Sequence, residues 1–279
     1  MIKNLRFGLL CILVLLVGIC QAQIKKKVIK KPPVHLLKSK ADTVIATKLP
    51  AKQIAEIRVK ISTSLGDIIV RLSNKTPKHR DNFVKLVNEH FYDSLLFHRV
   101  INSFMIQGGD PNSKNAAPGI ILGEGDVGYK IPAEFDSTLY HKRGALAAAR
   151  DGNTEKASSG CQFYIVQGKK RSNGELDVIE LNKHIHFSSA KRMTYNMIGG
   201  TPNLDMNYTV FGEVETGMEV VDEIALQQVD DNNRPLKDIS IKMEVMKEEI
   251  KEVNLQSEVS IKRITNYELH ELRNMFCIN

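Results

Sequence analysis

The 279-residue chain contains no tryptophan and only four cysteines, and it has no apolar run long enough to cross a membrane. Without tryptophan, no indole ring can contribute to a binding site. Cys11 and Cys20 lie near the N-terminus, which leaves Cys161 and Cys277 in the rest of the chain. Two cysteines do not make a disulfide framework, and a domain of this length can bury enough apolar surface without one. The longest apolar run, 7–19, is shorter than the roughly 20 residues of a membrane-spanning helix.

The first 22 residues have the layout of a cleavable secretory signal. Lys3 and Arg6 precede the apolar run, and Cys20-Gln21-Ala22 follows it. We expect cleavage after Ala22 and an exported protein, with the periplasm as its main location. The alternative is a lipoprotein anchored at Cys20, because the Val-Gly-Ile-Cys segment is near a lipobox, although its bulky isoleucine argues against this. Secretion, and association with a membrane through the N-terminus, also stay open.

Positive charge is concentrated in one stretch of the chain. The net charge is +7, and residues 24–60 carry eleven Lys or Arg against two acidic residues, whereas the chain after residue 60 is net acidic. Residues 23–54 also contain Pro32-Pro33 and Pro50 and lack periodicity, which predicts a flexible basic linker. Recognition of nucleic acid needs a basic surface on a folded domain, with side chains that contact the bases. Here the basic residues lie in a predicted linker, so no nucleic-acid partner is expected.

From residue 55 onwards the pattern predicts short strands and two helices. Residues 57–61 and 68–72 alternate apolar and polar residues around a turn, which predicts a hairpin. Thr76 before Pro77 predicts a helix start with Thr76 as its N-cap. Many short strands predict a mainly β domain, a closed antiparallel barrel capped by the helices, because closure removes exposed edges. Further strands are predicted at 97–100, 104–107, 144–149, 162–166, 208–214 and 239–245, and the second helix at 218–226.

Two segments lie outside this pattern. Residues 168–200 form a polar, charged insertion that we expect to be a helical excursion. Residues 247–279 form a C-terminal extension, whose Glu, Lys and Leu content permits a helix without specifying one.

The segment 97–110, Phe-His-Arg-Val-Ile-Asn-Ser-Phe-Met-Ile-Gln-Gly-Gly-Asp, places one cation among apolar residues. It is predicted to form two short strands joined by a turn at Asn102-Ser103. Met105 and Gln107 share a strand face by the two-residue period, so Arg99, a thioether, an amide and an aromatic ring are expected close together. Such a surface suits an uncharged, partly apolar ligand with one carbonyl to hold.

This segment resembles the central motif of the cyclophilins, the peptidyl-prolyl cis/trans isomerases, and three more segments match the family in order. They are Gly144-Ala-Leu-Ala-Ala-Ala149, Cys161-Gln-Phe-Tyr-Ile165 and Leu204-Asp-Met-Asn-Tyr-Thr-Val-Phe-Gly-Glu-Val214. Four ordered motifs are harder to meet by chance than one. The resemblance covers residues 55–246 and implies a closed eight-stranded antiparallel barrel that binds proline-containing peptides and isomerises X-Pro bonds without a metal or other cofactor.

An X-Pro amide resists rotation because resonance delocalises the lone pair of its nitrogen. Catalysis breaks no bond and needs only tighter binding of the twisted amide than of the planar one. The resemblance implies that Arg99 is the catalytic residue, a hydrogen-bond donor to the pyramidal nitrogen, while an apolar pocket holds the proline ring and strips water from the amide. The implied substrate-binding residues are Phe104, Met105, Gln107, Ala149, Arg150, Gln162, Tyr164, Leu204 and Tyr208.

Three positions depart from the family pattern. Asn203 stands where many members carry tryptophan, so we expect low affinity for cyclosporin. Tyr208 replaces the usual histidine and keeps an aromatic wall. Arg150 replaces the usual asparagine beside the groove, and we expect it to alter the preference for peptides.

Other patterns in the chain have simpler explanations. Gly123-Glu-Gly-Asp-Val-Gly128 fits a dinucleotide-binding pattern, but Tyr129-Lys-Ile-Pro132 breaks the helix that must follow, so a loop rimming the groove is predicted. His184 and His186 have no third ligand at a suitable spacing, so no metal is expected. Cys161 has no histidine placed to activate it and is predicted to be a passive thiol.

Two functions follow from these observations. The first is an isomerase that assists the folding of exported proteins. The second is a binding module or chaperone that keeps the groove, holds partners through the insertion and the extension, and isomerises slowly or not at all. Unfolded exported proteins are the expected partners of both, and the chain is expected to be a monomer.

Overall fold

The computed structural model describes residues 56–246. The predicted signal peptide 1–22, the linker 23–54 and the extension 247–279 lie outside the described residues, as do Cys20 and Cys277. Between residues 56 and 246, none of the helices combines the length and the apolar character needed to span a bilayer.

The described residues form ten strands and four α-helices, in an order close to the predicted one. The strands are β1 Arg58–Thr63, β2 Gly66–Leu72, β3 Phe97–Ile101, β4 Met105–Gly108, β5 Lys130–Ile131, β6 Ala145–Ala148, β7 Ser158–Ser159, β8 Phe163–Val166, β9 Val210–Thr216 and β10 Lys242–Val245. The helices are α1 Pro77–Asn88, α2 Asn173–Lys183, α3 Ser189–Met197 and α4 Met218–Ala225. The predicted hairpin is confirmed as β1 and β2, whereas the two-residue strands β5 and β7 were not predicted.

Eight strands form one antiparallel sheet in the order β10-β1-β2-β9-β6-β8-β4-β3, and β5 pairs with β7. This sheet curls into a half-barrel with β10 and β3 at its edges, so the prediction of a closed barrel is wrong. The two edges approach each other mainly at the residues that precede β3 and β10 in the chain. There Leu96 forms an isolated bridge with Ser240, and the N–H of Ile241 donates to the carbonyl of Leu95 at 2.7 Å. Because β10 itself pairs only with β1, no ladder joins the two edges.

Helix α1 begins where predicted, but its capping side chain is not that of Thr76. The hydroxyl of Thr76 makes no cap hydrogen bond. The carboxylate of Glu134 instead accepts from the backbone N–H groups of Lys78 at 3.1 Å and His79 at 3.0 Å. It also lies 2.8 Å from Nδ1 of His79, whose Nε2 is 2.9 Å from Oγ of Ser158. A distant loop residue therefore caps α1, and His79 links the helix to β7.

Side-chain alternation divides the sheet between two apolar clusters. The larger cluster fills the half-barrel and includes residues of α1 and α4. The smaller cluster lies on the opposite, outer face of the sheet. In β8, Phe163 and Ile165 belong to the inner cluster, and Tyr164 and Val166 to the outer one. This outer cluster is the floor on which the candidate site is built.

The prediction of a helical insertion at 168–200 is confirmed by α2 and α3. Helix α2 begins with a capping box, in which Ser172 and Glu175 satisfy each other's backbone N–H groups. The insertion has a small core of its own, and Tyr140 from outside the insertion packs against it. The buried residues of that core are Leu176, Ile179, Phe187 and Tyr195.

Three buried histidines make the fold sensitive to acid. His98 on β3 is buried, and within the described part of the chain neither of its ring nitrogens has a hydrogen-bond partner. Burial lowers the pKa of His98 to about 4. Burial also lowers the pKa values of His79 and His141. A group whose pKa is lower in the folded chain binds protons preferentially when the chain is unfolded, so acid favours unfolding.

We expect the free energy of unfolding to fall as the pH is lowered from about 6.5 to about 4, because His98 protonates in the unfolded chain across this window and in the folded chain only at its end. This residue alone accounts for a loss on the order of 3 kcal/mol. Urea unfolding at pH 7 and at about pH 4.5 measures the loss in the wild type and in His98→Phe. The variant should lose less, and equal losses in the two proteins would contradict the assignment to His98.

Candidate active site

A groove crosses the outer face of the sheet, above the smaller apolar cluster. Arg99 of β3 pairs with Gln107 of β4, Gln107 with Tyr164 of β8, and Tyr164 with Ala147 of β6. Because cross-strand partners share a face, these side chains form one row across four strands. The groove has a volume of about 290 Å³. Nine of the ten predicted site residues line it: Arg99, Phe104, Met105, Gln107, Ala149, Arg150, Tyr164, Leu204 and Tyr208.

The guanidinium of Arg99 is half-buried in the groove and is held by an amide. Its Nη1 donates to Oε1 of Gln107 at 3.1 Å. Among residues 56–246, Arg99 forms no salt bridge, and its other N–H groups have no protein partner. The neutral amide positions the guanidinium without cancelling its charge, so the remaining N–H groups can donate to a ligand.

Gln162 is the one predicted site residue that does not line the groove. Nε2 of Gln107 donates to Oε1 of Gln162 at 3.0 Å, and Nε2 of Gln162 donates to the carbonyls of Gly123 and Gly125, both at 2.8 Å. The hydrogen bonds therefore fix which end of each glutamine amide is the oxygen and which is the NH₂ group. Gln162 supports the amide that in turn positions Arg99.

The glycine-rich segment 123–128 is the predicted loop beside the groove. Its first residue and its neighbours Leu122 and Glu124 line the groove, although neither neighbour was predicted as a site residue. The carboxylate of Asp110 accepts the N–H of Gly123. A Cβ on Gly125 would lie 1.9 Å from Oδ1 of Asp110, so only glycine fits there. The glycines allow the loop to approach the strand residues closely enough to bind Gln162.

An apolar pocket lies beside Arg99 in the same groove. Phe104, Met105 and Leu204 provide apolar walls. The rings of Tyr164 and Tyr208 stand almost perpendicular to each other, with 5.9 Å between centroids and an interplanar angle of 82°. Two aromatic rings set at this angle form a corner suited to a small saturated ring.

The hydroxyl of Tyr164 is buried and bonded to residues that the sequence did not identify. It lies 2.9 Å from Nε2 of His141, and Nδ1 of His141 lies 3.0 Å from Oδ1 of Asp205. Burial raises the pKa of Tyr164 well above its ordinary value, so the hydroxyl keeps its proton. Asp205 follows the pocket residue Leu204 in the chain, but no spacing in the sequence connects His141 to either.

Arg150 covers one wall of the groove with its side chain. Its guanidinium carbon lies 4.8 Å from the centroid of the Tyr208 ring, and its Nε donates to the carbonyl of Asn207 at 2.7 Å. The cation therefore fixes the orientation of the Tyr208 ring. Its Nη1 donates to the backbone carbonyls of Asp151 at 2.8 Å and Asn153 at 3.3 Å, so the guanidinium is already hydrogen-bonded within the protein.

Backbone pairing with a peptide is possible at Arg150 but restricted at Ala149. The N–H of Ala149 donates to the carbonyl of Gln162 at 2.9 Å, and its carbonyl accepts from Ser159 at 2.8 Å. In residues 56–246, the N–H of Arg150 has no hydrogen-bond partner. Of these two predicted substrate-binding residues, Arg150 has the free backbone donor.

The remaining reactive candidates do not form a site with the groove. Cys161 is buried, and burial raises the pKa of its thiol to about 11, as expected of a passive thiol. His184 ends α2 in the left-handed conformation, and His186 lies 3.3 Å from Glu180. Between residues 56 and 246, no group of three or more His, Cys, Asp or Glu side chains is arranged to hold a metal ion.

Comparison with known proteins places this architecture in a family. The family model of the cyclophilin type peptidyl-prolyl cis-trans isomerase/CLD matches residues 58–245. A Staphylococcus aureus (strain USA300) protein named as a peptidyl-prolyl cis-trans isomerase is 35% identical over 190 residues, covering 68% of this chain and 91% of the relative.

A second relative is longer than the matched region. This Streptococcus pyogenes protein, named as a bifunctional phosphatase/peptidyl-prolyl cis-trans isomerase, is 36% identical over 187 residues. The match covers 66% of this chain and 37% of the relative.

A solved structure shows the same fold. The crystal structure of a Cryptosporidium parvum cyclophilin type peptidyl-prolyl cis-trans isomerase superposes with a TM-score of 0.51 at 24% identity, covering 70% of this chain and 99% of that one. The family match spans the whole sheet and every residue that lines the groove. The chain therefore belongs to the cyclophilin-type peptidyl-prolyl cis-trans isomerase family.

Proposed function

We propose that the protein isomerises X-Pro bonds of polypeptides bound in the groove, with Arg99 as the catalytic residue. The observation that carries the proposal is the half-buried guanidinium of Arg99, held by the amide of Gln107 beside an apolar pocket. A cation with free donors next to an apolar pocket suits a ligand that combines a neutral amide with a small apolar ring. An X-Pro unit has both parts.

Twisting the X-Pro bond moves the lone pair back onto the proline nitrogen, which becomes pyramidal and basic. An N–H group of Arg99 that reaches this nitrogen binds the twisted amide more tightly than the planar one, which lowers the barrier. Phe104, Met105 and Leu204 hold the ring still while the preceding carbonyl turns. The pocket also removes water from the amide, and this strengthens the hydrogen bond from the guanidinium.

The free N–H of Arg150 supplies a backbone anchor for the peptide. One backbone hydrogen bond to the substrate fixes its direction in the groove without reading its sequence. The side chain of Arg150 stays on the ring of Tyr208, so it narrows the groove, and because its partners are neutral carbonyls and an aromatic ring, its positive charge stays at the rim.

Replacing Arg99 by alanine should lower kcat/KM for an Ala-Pro peptide about 100-fold or more, since removal of one preorganised donor costs this much in other enzymes. Arg99→Lys should recover only part of the activity, because an ammonium lacks the planar set of donors that Gln107 orients. A protease-coupled assay measures both. Arg80→Ala, which removes an arginine of α1 outside the groove, is the control and should keep wild-type activity. Wild-type turnover by Arg99→Ala would contradict the proposal.

The insertion supports a second function, the binding of unfolded polypeptides. Apolar side chains are exposed on both of its helices, including Leu181 at 73% and Met197 at 63% exposure. Val178 and Leu181 are three residues apart on α2, and Met193 and Met197 four residues apart on α3, so each pair lies on one helix face. Exposed apolar faces of this kind bind apolar segments of other chains. We propose that the insertion holds a client while its proline enters the groove.

The combined substitution of Val178, Leu181, Met193 and Met197 by serine should reduce the suppression of client aggregation at least about two-fold, because it removes exposed apolar area. Turnover of a short Ala-Pro peptide should stay within about two-fold of wild type, since exposed substitutions perturb folding little. Light scattering of a refolding client measures the first effect. Leu226→Ser with Leu236→Ser, two equally exposed leucines outside the insertion, is the control. Equal loss in test and control would argue against a specific surface.

We further propose that the protein acts on exported proteins in the periplasm. The support is the order of charge, apolar run and small residue in the first 22 residues. We expect the mature chain to begin at Gln23, as measured by intact mass and N-terminal sequencing of protein expressed in a bacterium with its leader. Cys20→Ala should be processed in the same way. A diacylated N-terminal Cys20, lost in that variant, would instead establish the lipoprotein.

A further inference from the structure

A continuous series of buried hydrogen bonds runs from helix α3 of the insertion to the wall of the groove. We call Tyr195, Asp205, His141 and Tyr164 the polar relay. The hydroxyl of Tyr195 donates to Oδ2 of Asp205 at 2.8 Å. Oδ1 of Asp205 lies 3.0 Å from Nδ1 of His141, whose Nε2 lies 2.9 Å from the hydroxyl of Tyr164. All four side chains are buried, and Tyr164 alone lines the groove.

The direction of each hydrogen bond follows from the charge of Asp205. Burial by itself would raise the pKa of Asp205, but the hydrogen bonds from His141 and the positive charge of nearby Lys191 hold it below its ordinary value. The ionised carboxylate only accepts, so Nδ1 of His141 carries the proton that faces it. Burial lowers the pKa of His141 and keeps its ring neutral, which leaves Nε2 as an acceptor. Tyr164 therefore donates its hydroxyl proton to His141.

The carboxylate of Asp205 organises this network because it is a buried charge. It accepts from the backbone N–H of His141 at 2.9 Å and from the side chains of His141 and Tyr195, and Nζ of Lys191 lies 3.5 Å away. A buried carboxylate requires such donors, so their geometry is strongly constrained. Two of the donors, Lys191 and Tyr195, belong to α3 of the insertion.

We propose that His141 and Asp205 are positioning residues for the proline pocket, and that the insertion sets the geometry of the pocket through Tyr195. The hydrogen bond from the hydroxyl of Tyr164 to His141 fixes the axis of the Tyr164 ring, and this ring forms a corner with that of Tyr208. The insertion then contributes to the active site by fixing the position of one wall of the pocket. The inference rests on the proposed isomerase function, because it assigns Tyr164 to the wall that holds the proline ring.

The pocket wall contacts the proline ring both before and during rotation of the amide. Loosening it weakens ground-state and transition-state binding alike, which raises KM and leaves kcat nearly unchanged. Loss of Arg99 should instead lower kcat, because its hydrogen bond forms in the twisted state. A general loss of folded protein lowers apparent kcat without raising KM, so the two parameters separate positioning from stability.

Tyr195→Phe is the test variant, and Tyr140→Phe is its matched control. Tyr195→Phe keeps the ring and its packing in the core of the insertion and removes only the hydroxyl bonded to Asp205. Tyr140→Phe removes a hydroxyl bonded at 3.1 Å to Thr194 of the same helix, outside the relay. We expect KM for the Ala-Pro peptide to rise about three- to ten-fold in Tyr195→Phe, the effect of one hydrogen bond, with kcat within about two-fold. Both parameters should stay at wild-type values in Tyr140→Phe. An unchanged KM in Tyr195→Phe, or equal changes in both variants, overturns the proposal.

A second measurement does not depend on turnover. In protein labelled with ¹³C in its tyrosine rings, the signals of Tyr164 and Tyr208 should shift in Tyr195→Phe and stay in place in Tyr140→Phe. If the wild type fails to isomerise the peptide, the proposed function is wrong, and the tyrosine signals still decide whether the insertion positions the pocket. If Tyr195→Phe does not fold, Lys191→Met, which removes the cation from the same carboxylate oxygen, takes its place with the same expected shifts. Unshifted Tyr164 signals overturn the proposal.

Discussion

The register of β3, β4 and β8 places Arg99, Gln107 and Tyr164 side by side on the outer face of the sheet. Successive residues of a strand face opposite ways, so a slip of one residue would turn Ile106 outwards and Gln107 into the core. The inner cluster prevents that slip, because Ile106 and Ile165 are fully buried in it. The hydrophobic core thus determines which residues reach the groove, although it contributes none of the polar groups in the row.

The choice of amides over carboxylates around Arg99 follows from the chemistry that the groove performs. A carboxylate partner would bind the guanidinium more tightly but would compete with the weakly basic nitrogen of a twisted amide. Gln107 holds the guanidinium by one neutral acceptor, and Gln162 with the loop carbonyls of Gly123 and Gly125 fixes that amide in turn. The charge is therefore positioned and remains available to a ligand.

Sequence periodicity predicts the elements of this fold well and the contacts between distant elements poorly. Alternation located the strands within a few residues, because one face of each strand must be apolar. Closure of the barrel was wrongly predicted, because it depends on how the turn residues before β3 and β10 meet, which no local pattern encodes. Likewise, Thr76 occupies the predicted N-cap position of α1, but the side chain that accepts the free N–H groups of the first turn is that of Glu134 from a loop.

The candidate site shows the same division. The sequence motifs correctly identified nine residues that line the groove. They did not show that the backbone N–H and carbonyl of Ala149 are already bonded to Gln162 and Ser159, because these hydrogen bonds depend on how the folded strands pair. His141 and Asp205 escaped prediction because they touch the groove only through Tyr164. A lone histidine or aspartate in a sequence carries no sign of the partner that it meets after folding.

The short helical turn Pro202–Leu204 explains why the insertion and the pocket act together. Leu204 lines the pocket, and Asp205 directly after it belongs to the polar relay. Lys183 at the end of α2 donates to the carbonyl of Asn203 in the same turn, and Lys191 of α3 contacts Asp205. Helix α2 therefore bonds to the backbone of the turn that carries a pocket wall, and helix α3 bonds to the side chain directly after it. A displacement of these helices changes the position of Leu204 directly and that of Tyr164 through His141, so two walls of the pocket respond to one element that lies outside it.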